Sequence, residues 1–146
     1  MSKKSSQAIH FHFQASPFYL PNRTELKKFI KSLIIKEKHA LERIDYIFCT
    51  DPYLHELNVY HLGHDTYTDI LTFGLSANKA IKAEIYISID RVRENAKKFQ
   101  SPLLIELYRV IFHGALHLCG YKDKALKDKA IMRSKENRYL KLYSNQ

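Results

Sequence analysis

Cysteine is scarce: Cys49 and Cys119 are the only two in 146 residues, too few for a disulfide scaffold. Tryptophan is absent, and glycine and proline number four each, which excludes collagen-like and low-complexity architectures. No apolar run approaches the ~18 residues a membrane span needs. The basic start, Met1-Ser2-Lys3-Lys4, leads into Ile9-His10-Phe11-His12-Phe13, where histidines interrupt the apolar run, so no signal-peptide core is expected. Acidic residues are also short, with 15 Asp+Glu against 24 Lys+Arg, a net charge of +9 with histidine neutral. That excess favours a polyanionic partner such as nucleic acid. Part of it sits at the end: Tyr121 to Gln146 holds eight Lys/Arg and three Asp/Glu, or +5. At 45% hydrophobic and 27% charged residues the composition is that of a globular protein. A chain of this length buries roughly 70% of its unfolded surface, and one domain over residues 1–146, in the cytoplasm, is expected.

Ile9, Phe11 and Phe13 alternate with His10, His12 and Gln14, the period of a half-buried strand. Thr24 is expected to cap a helix reaching about Lys38, with Leu26, Phe29, Ile30, Leu33 and Ile34 on one stripe. Ile44–Cys49 reads as a strand and Tyr53–Tyr60 as a short helix. Thr68–Phe73 and Ala83–Ile89, rich in β-branched and aromatic residues, read as two more strands. Asp90 is expected to cap a helix to about Phe99. Leu103–Leu118 is a long apolar helix stopped at Gly120, and Ala125–Tyr143 is a terminal helix. The order βαβαββααα predicts an α+β domain with a four-stranded mixed sheet covered by helices. Strand order is not readable from this pattern.

The chemistry concentrates in Phe112-His113-Gly114-Ala115-Leu116-His117-Leu118-Cys119-Gly120-Tyr121-Lys122-Asp123. His113 and His117 are four apart, so on a helix their rings share one face. Two such imidazoles can bind one cation of zinc type, and a turn at Gly120 lets Asp123 reach the same ion. Two histidines and one carboxylate leave a fourth position open, as in a catalytic zinc site, where metal-bound water ionises near neutral pH. The expected metal site therefore lies at the C-terminal end of a central helix. Gly114 costs about 1 kcal/mol relative to alanine inside a helix, so omitting its side chain should gain something. In the zinc-protease motif His-Glu-x-x-His a glutamate occupies that place, and its absence argues against a peptidase. Cys119, two residues past His117, should point away from the ion and pack as a small side chain. Glu106, seven residues before His113, is a candidate for orienting a ligand ring, or else a surface charge.

The segment His113-Gly114-Ala115-Leu116-His117-Leu118-Cys119-Gly120-Tyr121 resembles the signature His-Gly-x-Leu-His-Leu-x-Gly-Tyr-Asp-His of the YbeY family of bacterial rRNA maturation endoribonucleases. Leu57-Asn58, Gly63, Asp65 and Thr68-Asp69-Ile70-Leu71-Thr72-Phe73 resemble a second family segment, and Glu84-Ile85-Tyr86-Ile87-Ser88 falls where the family has a strand. The resemblance implies one zinc per chain and cleavage of single-stranded RNA during 16S rRNA 3′-end maturation and ribosome quality control, with rRNA and ribosomal particles as partners. By position, His113 and His117 match the first two zinc histidines. Asp123 stands where the family has its third histidine. A carboxylate leaves the zinc unit at about +1 rather than about +2, a weaker Lewis acid, and another divalent ion such as Mn²⁺ becomes admissible.

The resemblance also implies a Tyr-Arg pair in the segment that begins at Leu57-Asn58; His61-Leu62 stand there instead, and Leu62 cannot hold a phosphate. Lys122 and Lys124, flanking Asp123, are the replacement candidates, and Asn58, Asp65, Thr68 and Asp69 are candidates to border the substrate cleft. His61, His64 and Asp65 match no closed metal site. The expected function is a zinc-dependent endoribonuclease. Two rivals stand beside it: a non-enzymatic ribosome-associated RNA-binding module with a structural metal, and a metal-dependent hydrolase of another substrate. Oligomeric state is not readable.

Overall fold

A computed structural model describes residues 8–15, 18–64, 66–76 and 78–145. Alternating apolar residues make four strands, β1 (Ile9–Phe13), β2 (Leu41–Cys49), β3 (Ile70–Gly74) and β4 (Ile81–Ser88). Five helices complete the fold: α1 (Arg23–Lys36), α2 (Asp51–Leu62), α3 (Ile89–Lys98), α4 (Leu103–Leu118) and α5 (Leu126–Ser144). The element order is the expected βαβαββααα. The sheet runs β1-β2-β4-β3. β1 and β4 lie parallel to β2, whereas β3 lies antiparallel to β4. The connections explain this mixture: α1 carries the chain back between parallel β1 and β2, α2 leads from β2 to the edge strand β3, and β3 and β4 are joined by a short loop.

The two sheet faces have separate covers. Ile44, Tyr46 and Phe48 of β2 and Ala83, Ile85 and Ile87 of β4 point into the main core, packed with buried residues of α1, α4 and α5. Cys49, Leu54 and Leu71 make a smaller cluster on the other face, under α2. Helix α4 is the centre of the main core; Leu107, Val110, Ile111, Phe112, Ala115 and Leu116 are all buried. The Tyr46 hydroxyl donates to the Ile111 carbonyl at 2.9 Å, fixing the helix against the sheet.

Gly114 explains its own cost. A Cβ there would lie 2.9 Å from Ile70 Cδ1 and 3.1 Å from two Ile85 carbons, so its absence lets α4 lie against β3 and β4. Gly120, with φ 102°, ends α4 in the left-handed region that glycine adopts freely. The Gly120 N–H returns to His117 O and the Tyr121 N–H to Leu116 O.

Two expected caps fall elsewhere. Helix α1 starts after Asn22 with no side-chain cap, so Thr24 already lies inside the first turn. Ser88 caps α3 by accepting from the Arg91 N–H at 3.1 Å. Asp90 instead accepts from the Asp51 N–H at 2.9 Å, which ties α3 to the start of α2. Thr50, unremarked in the sequence, caps α2. Each displaced cap is one or two residues from the competing short polar side chain, and local sequence does not decide between them.

Candidate metal centre and the cavities beside it

Helix α4 delivers His113 and His117 with their rings parallel, 6.5 Å between centroids and 7° between planes. His113 is 20% exposed and held at both nitrogens. Its Nδ1 lies 2.7 Å from Glu136 Oε2, and its Nε2 lies 3.0 Å from Asp123 Oδ2. Glu136 is 7% exposed and also takes Arg109 Nη1 at 3.1 Å on its other oxygen; Arg109 in turn donates to Asn137 Oδ1 at 2.9 Å. Burial works against a charged His113 ring, but the bond to Glu136, with Asp123 and Asp69 nearby, outweighs it and raises the pKa above the ordinary histidine value. His117 is exposed. Its Nδ1 lies 3.0 Å from the Tyr121 carbonyl, which can only accept, so Nδ1 is the donor.

The Gly120 turn is anchored from outside. Glu37, at the end of α1, accepts from the Tyr121 hydroxyl at 2.6 Å and from the Tyr139 hydroxyl. Lys135 Nζ lies 3.2 Å from the same carboxylate. Burial alone would raise the Glu37 pKa, yet these three donors hold it below the usual glutamate value.

The donor chemistry fits a divalent cation. Each imidazole spends Nδ1 on an acceptor, Glu136 or the Tyr121 carbonyl, which is how metal-binding histidines are usually oriented. His113 Nε2 and Asp123 Oδ2 face each other at 3.0 Å, so these two atoms would be the first to hold such a cation. Closure is incomplete, however. Among the described residues no three His, Cys, Asp or Glu side chains converge at metal-binding distance. The structure thus brings Asp123 to His113 and leaves His117 one turn away on the same wall.

Two cavities flank the His113–Asp123 pair. One, of about 330 Å³, is lined by Asn58, Leu62, His64, Thr66, Thr68, Thr72, His117, Lys124 and their neighbours. The other, of about 300 Å³, lies behind His113 and includes Asp69, Asn95, Phe99, Glu106, Arg109, Arg133 and Glu136 in its wall. Thr68, Ile70, His113 and Asp123 line both. Asn58 is 2% exposed; its amide donates to Thr66 O at 2.9 Å, and its buried Oδ1 has no partner. A larger apolar cavity of about 680 Å³ runs along α2 and contains none of the polar residues singled out above, so it is not where the chemistry lies.

Of the expected cleft residues, Asn58, Thr68 and Lys124 line the first cavity and Asp69 the second. Lys122 is exposed outside both walls, and Asp65 lies outside the described residues. Glu106 is neither of the things expected of it: it is 7% exposed, and the bond to the His113 ring belongs to Glu136 instead. Glu136 escaped sequence reasoning because it acts from 23 residues away. A signal existed: Met132, Glu136 and Tyr139 form the buried stripe of α5, and a carboxylate in such a stripe needs a partner.

With this geometry in view, comparison with known proteins is decisive. The family model described as Endoribonuclease YbeY matches residues 14–144. The chain belongs to the YbeY family. A Flavobacterium psychrophilum protein named Endoribonuclease YbeY is 46% identical over 135 residues, 92% of this chain and 96% of its own length. A Cytophaga hutchinsonii protein of the same name is 44% identical over 137 residues, 93% of this chain and 96% of its own. The solution structure of TM1509 from Thermotoga maritima is similar at a TM-score of 0.62 and 28% identity, covering 92% of this chain and 93% of that one. Among the described residues of this YbeY-family chain, no helix is long and apolar enough to cross a membrane.

Proposed function

We propose that this protein is a metal-dependent endoribonuclease that cuts single-stranded RNA, with His113, His117 and Asp123 as ligands of one divalent ion, zinc first. The observation that carries the reading is the His113 ring, gripped by Glu136 on one side and facing Asp123 on the other at a cavity wall, in a chain of this family. Such an ion would polarise a phosphoryl oxygen, ionise a water, or do both, whether water or the ribose 2′-hydroxyl is the attacking group.

The protein's own groups do the rest. Glu136 holds His113 in one orientation, and the Tyr121 carbonyl does the same for His117. Asn58, its amide tied to the Thr66 carbonyl, shapes the wall of the first cavity. Lys124 gives the first cavity a positive charge where Leu62 gives none. The basic surface of α5 attracts the phosphate backbone with a salt-dependent contribution. The net charge of +9 supports a nucleic-acid substrate over a peptide. In the cell, this reading assigns the protein to rRNA processing and ribosome quality control in the cytoplasm.

Chelation is the test. The expected result is that removing the metal stops cleavage of a single-stranded RNA while far-ultraviolet circular dichroism stays unchanged, and that zinc restores cutting. Cleavage at the original rate by metal-free protein would overturn the reading. Unfolding on chelation with RNA affinity retained would favour a structural metal in a binding module.

A further inference from the structure

The cavity behind His113 contains carboxylates that the metal site does not use. Glu136 is spent on His113 and Arg109, and Asp123 on His113. Glu106 is 7% exposed; no hydrogen bond holds its carboxylate among the described residues, and Arg109 and Arg133 act on it only through longer-range attraction. Asp69, half-buried, has burial opposing its charge and the His113 ring favouring it. A buried carboxylate without a donor is costly, and Glu106, with half-buried Asp69 beside it, lines a space of about 300 Å³, the small end of ligand pockets.

The chemistry narrows the occupant. Asp69, Glu106, Asp123 and Glu136 outnumber Arg109 and Arg133 in this wall, which disfavours a phosphate inside it. Asp69 and Glu106 alone offer two ligands, short of the three or more a metal site takes. What remains is a group rich in N–H donors, and of such groups the RNA strand carries its bases. Phe99, 57% exposed, stands in the wall as an aromatic face, and Asn95 adds an amide able to donate. An aromatic platform beside hydrogen-bonding side chains is how proteins hold an unstacked base. Guanine alone among the RNA bases presents two adjacent donors, N1–H and N2–H, on its pairing edge, matching the two oxygens of one carboxylate; its O6 accepts from an amide. Adenine presents one donor beside one acceptor there, cytosine one donor beside two acceptors, and uracil one donor between two acceptors.

We infer that the cavity formed by Asp69, Asn95, Phe99 and Glu106 is a guanine-binding subsite, with Glu106 accepting from the base edge and Phe99 stacking on its face. The base belongs to the RNA strand, an assignment that rests on the nuclease reading above. Because His113 and Asp123 also line this cavity, a guanine there sets its own phosphate beside the metal ligands and selects the position of the cut.

Calorimetric titration of the purified full chain with GMP, IMP, AMP, CMP and UMP tests this without depending on cleavage. GMP is expected to bind roughly tenfold or more tightly than the others, including IMP, which lacks the N2 amine. Glu106→Gln should erase that advantage, and Phe99→Ala should weaken every nucleotide, with circular dichroism checking both folds. Equal affinities, preference for another base, a GMP advantage surviving Glu106→Gln, or unchanged binding by Phe99→Ala overturns the assignment. Cleavage of RNAs differing at one nucleotide separates the two claims. Selective GMP binding by a chain that cuts no RNA upholds the subsite and sinks the nuclease; cutting with no base preference does the reverse.

Discussion

His113 and His117 come from the same face of one helix, one turn apart, and the protein treats them differently. His113 is largely buried between two carboxylates, Glu136 and Asp123, with Arg109 behind the first. His117 is exposed and steadied by a single backbone carbonyl. The inner ring is fixed by charge and burial, the outer one by the turn after α4. Spacing alone makes the two equivalent; their surroundings assign one to rigid support and the other to the open side of the site.

The sharpest way to break this contrast is Glu136→Gln. Losing the carboxylate that orients His113 should weaken metal affinity by about 10–100-fold, read by competition with a chelator, whereas wild-type affinity would remove the distinction. Removing each ring in turn sharpens it through stability. His113→Ala, which strips a partner from buried Glu136, should cost about 1–3 kcal/mol in urea unfolding of the metal-free protein. His117→Ala should stay within about 0.5 kcal/mol. Equal losses would show that the surroundings do not matter.

The support of His117 can be attacked at a distance. Glu37 grips Tyr121, whose carbonyl orients that ring, so Glu37→Ala should cost about 1–2 kcal/mol. The pH dependence has a definite sign. The folded-state pKa of Glu37 lies below its ordinary value of 4.5, so its contribution is present above about 4.5 and fades as pH falls through the lower folded value. Acid titration of Glu37→Gln should therefore lose less stability below pH ~4.5 than the wild type. A smaller effect than that of Glu37 belongs to the residue next to His113. Gly114→Ala should cost about 1 kcal/mol, because crowding against Ile85 exceeds the gain in helix propensity. Adding Ile70→Val, which removes the atom 2.9 Å away, should make the pair less damaging than the sum of its parts.

What the sequence made legible follows from range. The nine elements and their order came from periodicity, which is local, and α4 begins and ends at Leu103 and Leu118 as its apolar run and Gly120 indicate. Gly114 announced a close approach before its neighbours Ile70 and Ile85 could be named. Strand order was hidden, since it depends on which distant strands share a core. The His113–Asp123 pair was legible because a glycine turn brings six residues back on themselves. Glu136 and Glu37 were not, because they reach the site from other helices, and Glu106 was misread because its burial depends on α3 and α5 packing above it.

Metal analysis of the purified wild type beside Asp123→Ala tests the central claim most directly. The account predicts one divalent ion per wild-type chain and a marked loss of it in Asp123→Ala, at unchanged circular dichroism. Equal metal content in the two proteins, with equal rates of RNA cleavage, would contradict it.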